Sequence, residues 1–196
     1  MLNINLFGGP GLGKSTLALE LTGRMKRAHI LAECTQEYAK ELVYRKENIR
    51  LRYQLGLFAE QNFRIQTLVG SVDYVINDSP LPLCLIYSGK DPHLNDVVFS
   101  QLVLDTFNTY DNVNILLKRN PDSKYSRSGR TQTISEAIVL DAMVKEMLDD
   151  NDIKYVTVTV DDKTLDNVYD IVTYVQSNKP SLEGYNHMYE RFIRVE

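Results

Sequence analysis

Gly8-Gly9-Pro10-Gly11-Leu12-Gly13-Lys14-Ser15 satisfies the pattern G-x-x-x-x-G-K-[ST] at every fixed position. Glycines at this spacing let successive backbone N–H groups curl around phosphate oxygens with no Cβ in the way. Lys14 is a point charge for β- and γ-phosphates, and the Ser15 hydroxyl is placed to ligate magnesium. The stretch also has the flanks such a loop needs. Leu2–Phe7 before it alternates as a short strand, and Leu17, Leu21 and Met25 after it fall on one stripe of a helix over 14–28, whose N-terminal dipole favours the same anion. Gly9, Gly11, Leu12, Gly13, Lys14, Ser15 and Thr16 are therefore the expected triphosphate-binding residues. A dinucleotide-binding glycine fingerprint fits poorly, because Gly9-x-Gly11 requires glycine where Lys14 stands.

Outward from the loop, apolar patterning predicts strands over 29–33, 72–76, 113–117 and 155–160. Helices are expected over 35–46, 49–69, 94–110, 133–149 and 164–176. Thr133-Ile134-Ser135-Glu136 reads as a capping box opening the penultimate helix. Strands alternating with helices imply one parallel sheet covered on both faces, an α/β fold in a single domain over 1–196. There is no internal repeat, linker or low-complexity segment.

The chain has 196 residues, 43% hydrophobic and 24% charged, and a formal net charge of −4. That balance argues against general affinity for duplex nucleic acid. No apolar run approaches a membrane span, and no presequence or membrane partner is expected. Two cysteines, Cys34 and Cys84, are too few for a disulfide framework and fit a reducing cytoplasm. Both read first as small buried hydrophobes, although Cys34 follows a site candidate.

Chemistry-bearing residues fall at the expected carboxyl ends of strands. Asp78 closes the run Asp73-Tyr74-Val75-Ile76-Asn77-Asp78, where a carboxylate holds a magnesium water beside the γ-phosphate. Asp73 reads as a solvated residue before the strand. Glu33 ends the predicted second strand and is a candidate to accept a proton from an acceptor hydroxyl; Glu37 lies one turn further on. Arg50, Gln54, Gln61 and Arg64 share one face of the predicted long helix, and Gln61 with Arg64 suits a base edge and a phosphate or sugar hydroxyl. Tyr38 and Tyr125 are placed to stack on a base. Residues 118–130 hold Lys118, Arg119, Lys124, Arg127 and Arg130 against one acid, Asp122, as a mobile lid over a triphosphate requires; Arg127 and Arg130 flank Gly129.

These residues resemble the P-loop kinase branch that includes nucleoside monophosphate kinases, deoxynucleoside kinases and nicotinamide riboside kinase. Gly8 to Ser15 is the strongest motif. Arg127-Ser128-Gly129-Arg130-x-Gln132 is similar to their Arg-rich lid (here 118–132), and Val160-Asp161 before a helix is similar to their adenine loop. Glu33 to Val43 with Asp78-Ser79-Pro80-Leu81 looks most like bacteriophage members of the nicotinamide riboside kinase-like branch, some of which phosphorylate 5-hydroxymethyluracil in DNA. The resemblance implies an adenylate kinase-like three-layer α/β/α fold with strand order 2-3-1-4-5, and ATP and Mg2+ as cofactors. It implies a nucleoside-like acceptor, in the phage case a modified DNA base, and the host cytoplasm as the setting. Asp78-Ser79-Pro80 departs from the Asp-Arg-Ser motif of many deoxynucleoside kinases.

Three functions follow as expectations: a kinase for a hydroxyl on a modified base in DNA, a kinase for a free nucleoside, nucleotide or nicotinamide riboside, and a P-loop ATPase switch. A lid that keeps water from the phosphate favours transfer over switching. No pattern fixes the oligomeric state; a homodimer is one reading.

Overall fold

The computed structural model describes residues 1–89, 93–121 and 133–178. Five strands, β1 (Leu2–Phe7), β2 (Ala32–Thr35), β3 (Tyr74–Asn77), β4 (Asp111–Lys118) and β5 (Val156–Thr159), form one sheet. All pairings are parallel and the order is β2-β3-β1-β4-β5, as expected. The helices among the described residues are α1 (Lys14–Arg27), α2 (Tyr38–Arg45), α3 (Asn48–Arg52), α4 (Gln54–Gln66), α5 (Leu85–Ser88), α6 (Asp96–Asn108), α7 (Ile134–Asp150) and α8 (Thr164–Asn178).

Strand alternation sorts the core into two layers. Ile4, Leu6, Val113, Ile115 and Leu117 face α1 and α8, where Leu21, Met25, Val168 and Val172 are buried. Phe7 and Leu116 face the other side, against Phe58, Phe99, Val103, Val144 and Leu148 from α4, α6 and α7.

The second face also carries a row of buried polar side chains across four strands. Thr35 Oγ1 donates to Asn77 Oδ1 (2.6 Å), Asn77 Nδ2 to Asn5 Oδ1 (2.8 Å), and Asn5 Nδ2 to Asn114 Oδ1 (2.9 Å). Asn114 Nδ2 ends the row on the Lys154 carbonyl at 2.9 Å. These residues are direct register partners across β2, β3, β1 and β4. Each amide finds its donors and acceptors within the row, so burial carries little penalty.

Three departures from the predicted elements bear on the site. First, β2 begins at Ala32 rather than at 29. His29 takes a left-handed conformation (φ 59°), and the N–H groups of His29 and Ile30 donate back to Lys26 and Met25 carbonyls. That is a Schellman closure of α1 with histidine in the usual glycine place, and it delays the strand by three residues.

Second, the single helix expected over 49–69 is two. Tyr53 (φ −82°, ψ 83°) separates α3 from α4. Gln54 Nε2 donates to the Leu51 carbonyl at 3.3 Å, taking an acceptor that a continuing helix would use. Third, Leu81–Cys84 forms a 3-10 turn running into α5, a segment the periodicity did not reveal. The capping box at Thr133 and Glu136 forms as expected.

Candidate active site

A cleft of about 460 Å³ opens at the carboxyl end of the sheet, between the loop after β1 and helices α2, α4 and α7. Gly9, Gly11, Gly13, Lys14, Ser15 and Thr16 line one end. Gly11 and Gly13 have φ of 88° and 80°, which only glycine adopts without strain, and Gly13 sits at the N-cap of α1. Lys14 Nζ donates to the carbonyls of Gly8 (2.7 Å) and Gly9 (2.9 Å). The ammonium is thus held over the loop.

Two predicted loop contacts take a different form. Leu12 turns its side chain into the core, 4% exposed. Gly9 lines the cleft, but its N–H is already donated to Asp141 Oδ1 on α7 at 3.0 Å. Arg119 completes this anchor: its Nε donates to Asp141 Oδ2 (2.7 Å) and its Nη2 to the Pro10 carbonyl (2.8 Å). Arg119, counted in sequence among the lid cations, is therefore an anchor of the loop, mostly shielded from water at 13% exposure. Asp141 was not foreseen. It lies mid-helix on the buried stripe of α7, at helical spacing from Ala137, Val144 and Leu148, where an acid needs a partner.

Asp78 follows β3 and is 3% exposed, and its Oδ1 has no hydrogen-bond partner among the described residues. A buried carboxylate oxygen left unpaired inside a cleft that Ser15 also lines fits a hydrated magnesium ion, which takes oxygen ligands through one or two carboxylates plus water and phosphate. Ser15 and Asp78 are the residues that would hold it. Asp73 is exposed, as read.

The other end of the cleft is apolar and aromatic, with Tyr38, Phe58, Leu81 and Tyr87 among its walls. Gln61 is 6% exposed and reaches into it. Its Oε1 accepts from the Tyr38 backbone N–H at 3.3 Å, which fixes the amide orientation. Its Nε2 is left as a buried donor without a partner among the described residues. Glu37 also lines this end. Burial, with a smaller effect from the Glu37 carboxylate, pushes the Tyr87 phenol up to about 12, so it stays a neutral hydrogen-bonding group.

Glu33 is not brought to the cleft. With β2 delayed it is the second residue of the strand, and its carboxylate pairs with Lys26 on α1. Arg64 also stands outside. Its Nη2 and Nε donate to Glu41 and Glu60, each at 2.9 Å, and the guanidinium lies 5.0 Å from the centre of the Tyr38 ring. It braces the ring that walls the cleft. Gln54 does reach the cleft, whereas the break at Tyr53 takes Arg50 off that face into a pair with Glu47. Of the cysteines it is Cys84, not Cys34, that lines the cleft. Arg127 and Arg130, with Lys124 and Tyr125, lie outside the described residues.

Among the described residues no helix is long and apolar enough to cross a membrane, and no cluster of three or more His, Cys, Asp or Glu forms a metal cage.

The fold has solved counterparts. A deoxyadenosine kinase from M. mycoides with products dCMP and a flexible dCDP bound superposes with a TM-score of 0.50 at 14% identity, over 90% of this chain and 99% of that one. The same enzyme with bound dCTP gives a TM-score of 0.53 at 19% identity, over 89% and 99%. A shikimate kinase from Bacteroides thetaiotaomicron gives 0.44 at 13% identity, over 90% and 98%. Among curated proteins none matches in sequence. A family model described as AAA domain matches residues 3–163, from β1 through the turn before α8 and across both ends of the cleft, and by that match the chain belongs to the AAA domain family.

Proposed function

We propose that the protein is an ATP-dependent kinase that transfers the γ-phosphate to a hydroxyl on a nucleoside-like acceptor. One observation carries this reading: a single cleft joins a phosphate-binding end to an apolar, aromatic end, and each holds one buried polar atom without a partner, Asp78 Oδ1 and Gln61 Nε2. The first suits a metal–triphosphate. The second suits the acceptor edge of a planar base, which aromatic walls would sandwich.

In this mechanism the triphosphate displaces the Lys14 ammonium from the Gly8 and Gly9 carbonyls and takes it as a counter-charge. Ser15 and Asp78 would hold a magnesium ion, which would supply neutralisation of the charge building on the transferred group. Gln61 and Tyr38 position the acceptor. Its hydroxyl oxygen attacks the γ-phosphorus in line as the bond to the β–γ bridging oxygen breaks; ADP leaves, and the hydroxyl proton passes to Asp78 or Glu37. Both carboxylates line the cleft, and Glu33 does not. Arg127 and Arg130 are proposed to cover the transition state.

The finer reading is that the acceptor is the hydroxymethyl group of 5-hydroxymethyluracil in phage DNA, supported by the resemblance of the Glu33–Val43 segment. A second reading is a free nucleoside or nucleotide, favoured by the limited volume of the cleft and by a fold shared with deoxyadenosine kinase. The test is incubation with γ-labelled ATP and magnesium, offering 5-hydroxymethyluracil-containing DNA beside free nucleosides, nucleotides and nicotinamide riboside. Label in DNA supports the first reading, and label in a small molecule the second. Label only in free phosphate overturns both and makes the protein an ATPase.

A further inference from the structure

The break between α3 and α4 builds a second concavity beside the cleft. A groove of about 350 Å³ is lined by Tyr38, Arg50, Tyr53, Leu57, Ala59 and Glu60, and it shares Tyr38 and Leu57 with the cleft wall. Tyr53 forms its floor. The ring lies on Gly56, where an added Cβ would meet Tyr53 Cδ1 at 2.5 Å. A glycine inside a helix is unfavourable by itself, and here it lets an aromatic ring lie flat along the helix. The outer face of that ring remains in water: Tyr53 is 52% exposed. A large flat apolar surface held in place yet uncovered is what stacking requires.

The charge around it is mainly positive. Residues 38–53 hold Lys40, Arg45, Lys46, Arg50 and Arg52 against Glu41 and Glu47, in a chain of net charge −4. Glu41 is paired with Arg45 and Arg64, Glu47 with Arg50, and Glu60 at the groove with Arg64. Lys40 and Arg52 have no such partner among the described residues, and both line the mouth of the cleft.

We infer that this groove holds a single-stranded polynucleotide, with the acceptor nucleotide in the cleft, the neighbouring base stacked on Tyr53, and phosphates between them on Lys40 and Arg52. This rests on the kinase reading of the cleft and extends it to how the acceptor is delivered. Base–aromatic stacking beside a short cationic track tolerates any sequence, so the strand is read by its backbone and base faces rather than by base edges. Compensated acids around two unpaired cations explain how an acidic protein binds a polyanion at one place only.

The test separates binding from transfer. Labelled short single-stranded DNA and RNA oligonucleotides are titrated by fluorescence anisotropy against the wild type, Y53A, Y53F, G56A, K40A and R52A, with an acidic peptide as control. We expect Y53A and G56A, which remove or displace the ring, to weaken strand binding about tenfold, and Y53F, which keeps it, to bind as the wild type. K40A and R52A should each lower the slope of log affinity against log salt by about 0.7. In the transfer assay, Y53A should lose activity toward a strand-borne acceptor and keep it toward the same acceptor free.

Equal strand binding by Y53A and wild type overturns the inference, as does a peptide that binds as tightly as the strand, or transfer only to the free acceptor. Ring-dependent strand binding without transfer to any acceptor leaves the groove standing and overturns the kinase reading instead. Thermal midpoints of Y53A and G56A matching the wild type exclude unfolding as the cause.

Discussion

Asp141 Oδ1 accepts the Gly9 N–H at 3.0 Å, so the start of the phosphate loop hangs from helix α7 rather than from its own strand. The motif leaves position 9 free, and the reason for glycine there is this contact. An added Cβ would sit 2.3 Å from Asp141 Oδ1 and 3.0 Å from the Ala137 carbonyl. D141A removes the acceptor and strips Arg119 of its carboxylate. We expect a loss of about 2 kcal/mol in unfolding free energy, read from urea titration, and about tenfold weaker ATP binding. D141N keeps an oxygen toward Gly9 and should fall between. Unchanged ATP affinity in D141A would show that the loop holds its shape unaided.

The carboxylates separate by position. Glu33 and Lys26 form an exposed pair, their side chains 44% and 47% accessible, so E33Q should change stability by less than about 1 kcal/mol and leave turnover intact. D78N and E37Q are expected to lower the transfer rate, the one serving as base by about a hundredfold. Single-turnover rates of the three variants decide it. A dead E33Q would return the base to β2.

Gln61 gives a prediction confined to one substrate. Q61L retains the volume and removes the buried donor, so the acceptor KM should rise about tenfold while the ATP KM stays as it was. Equal rises in both would mean that Gln61 supports the cleft through Tyr38 and does not touch the acceptor.

Where the sequence carries a strict local requirement, it was readable. The glycine-rich pattern fixes Gly8, Gly13, Lys14 and Ser15 at set offsets, the capping box needs Thr133 and Glu136 three apart, and both stand where the pattern puts them. Strand order followed from the family resemblance. What escaped depends on contacts between distant segments. His29 in a left-handed conformation and the Gln54 side chain on Leu51 O moved element ends by a few residues. That was enough to take Glu33 out of the cleft and Arg50 off the helix face. Asp141 and Gly9 are separated by most of the chain, and periodicity within α7 says nothing about which loop it meets.

The thiols supply a pH dependence. Burial, then the Asp78 and Glu33 carboxylates, push Cys34 from its ordinary 9.0 up to about 12. Burial pushes Cys84 beyond the usual thiol range. The native state thus favours the neutral thiol, and its contribution is complete below pH 9.0 and is lost as pH rises toward about 12. The urea midpoint should fall between pH 8 and pH 10, with a smaller fall in C34A. Cys34 should also alkylate far more slowly at pH 8 than in urea, since its thiolate is depleted about a thousandfold. Equal alkylation rates in the folded and unfolded chain would contradict this burial.

The row Thr35–Asn77–Asn5–Asn114 also bears on how the chain assembles. Its members come from four strands scattered over more than a hundred positions, and each amide is satisfied only when its neighbours have arrived. A sheet missing one strand would strand a buried donor or acceptor. A strand slipped by one position would turn its asparagine to the opposite face. Half-built sheets are therefore poor resting places, and the edge that carries Asp78 and the phosphate loop comes into being together with the rest of the sheet.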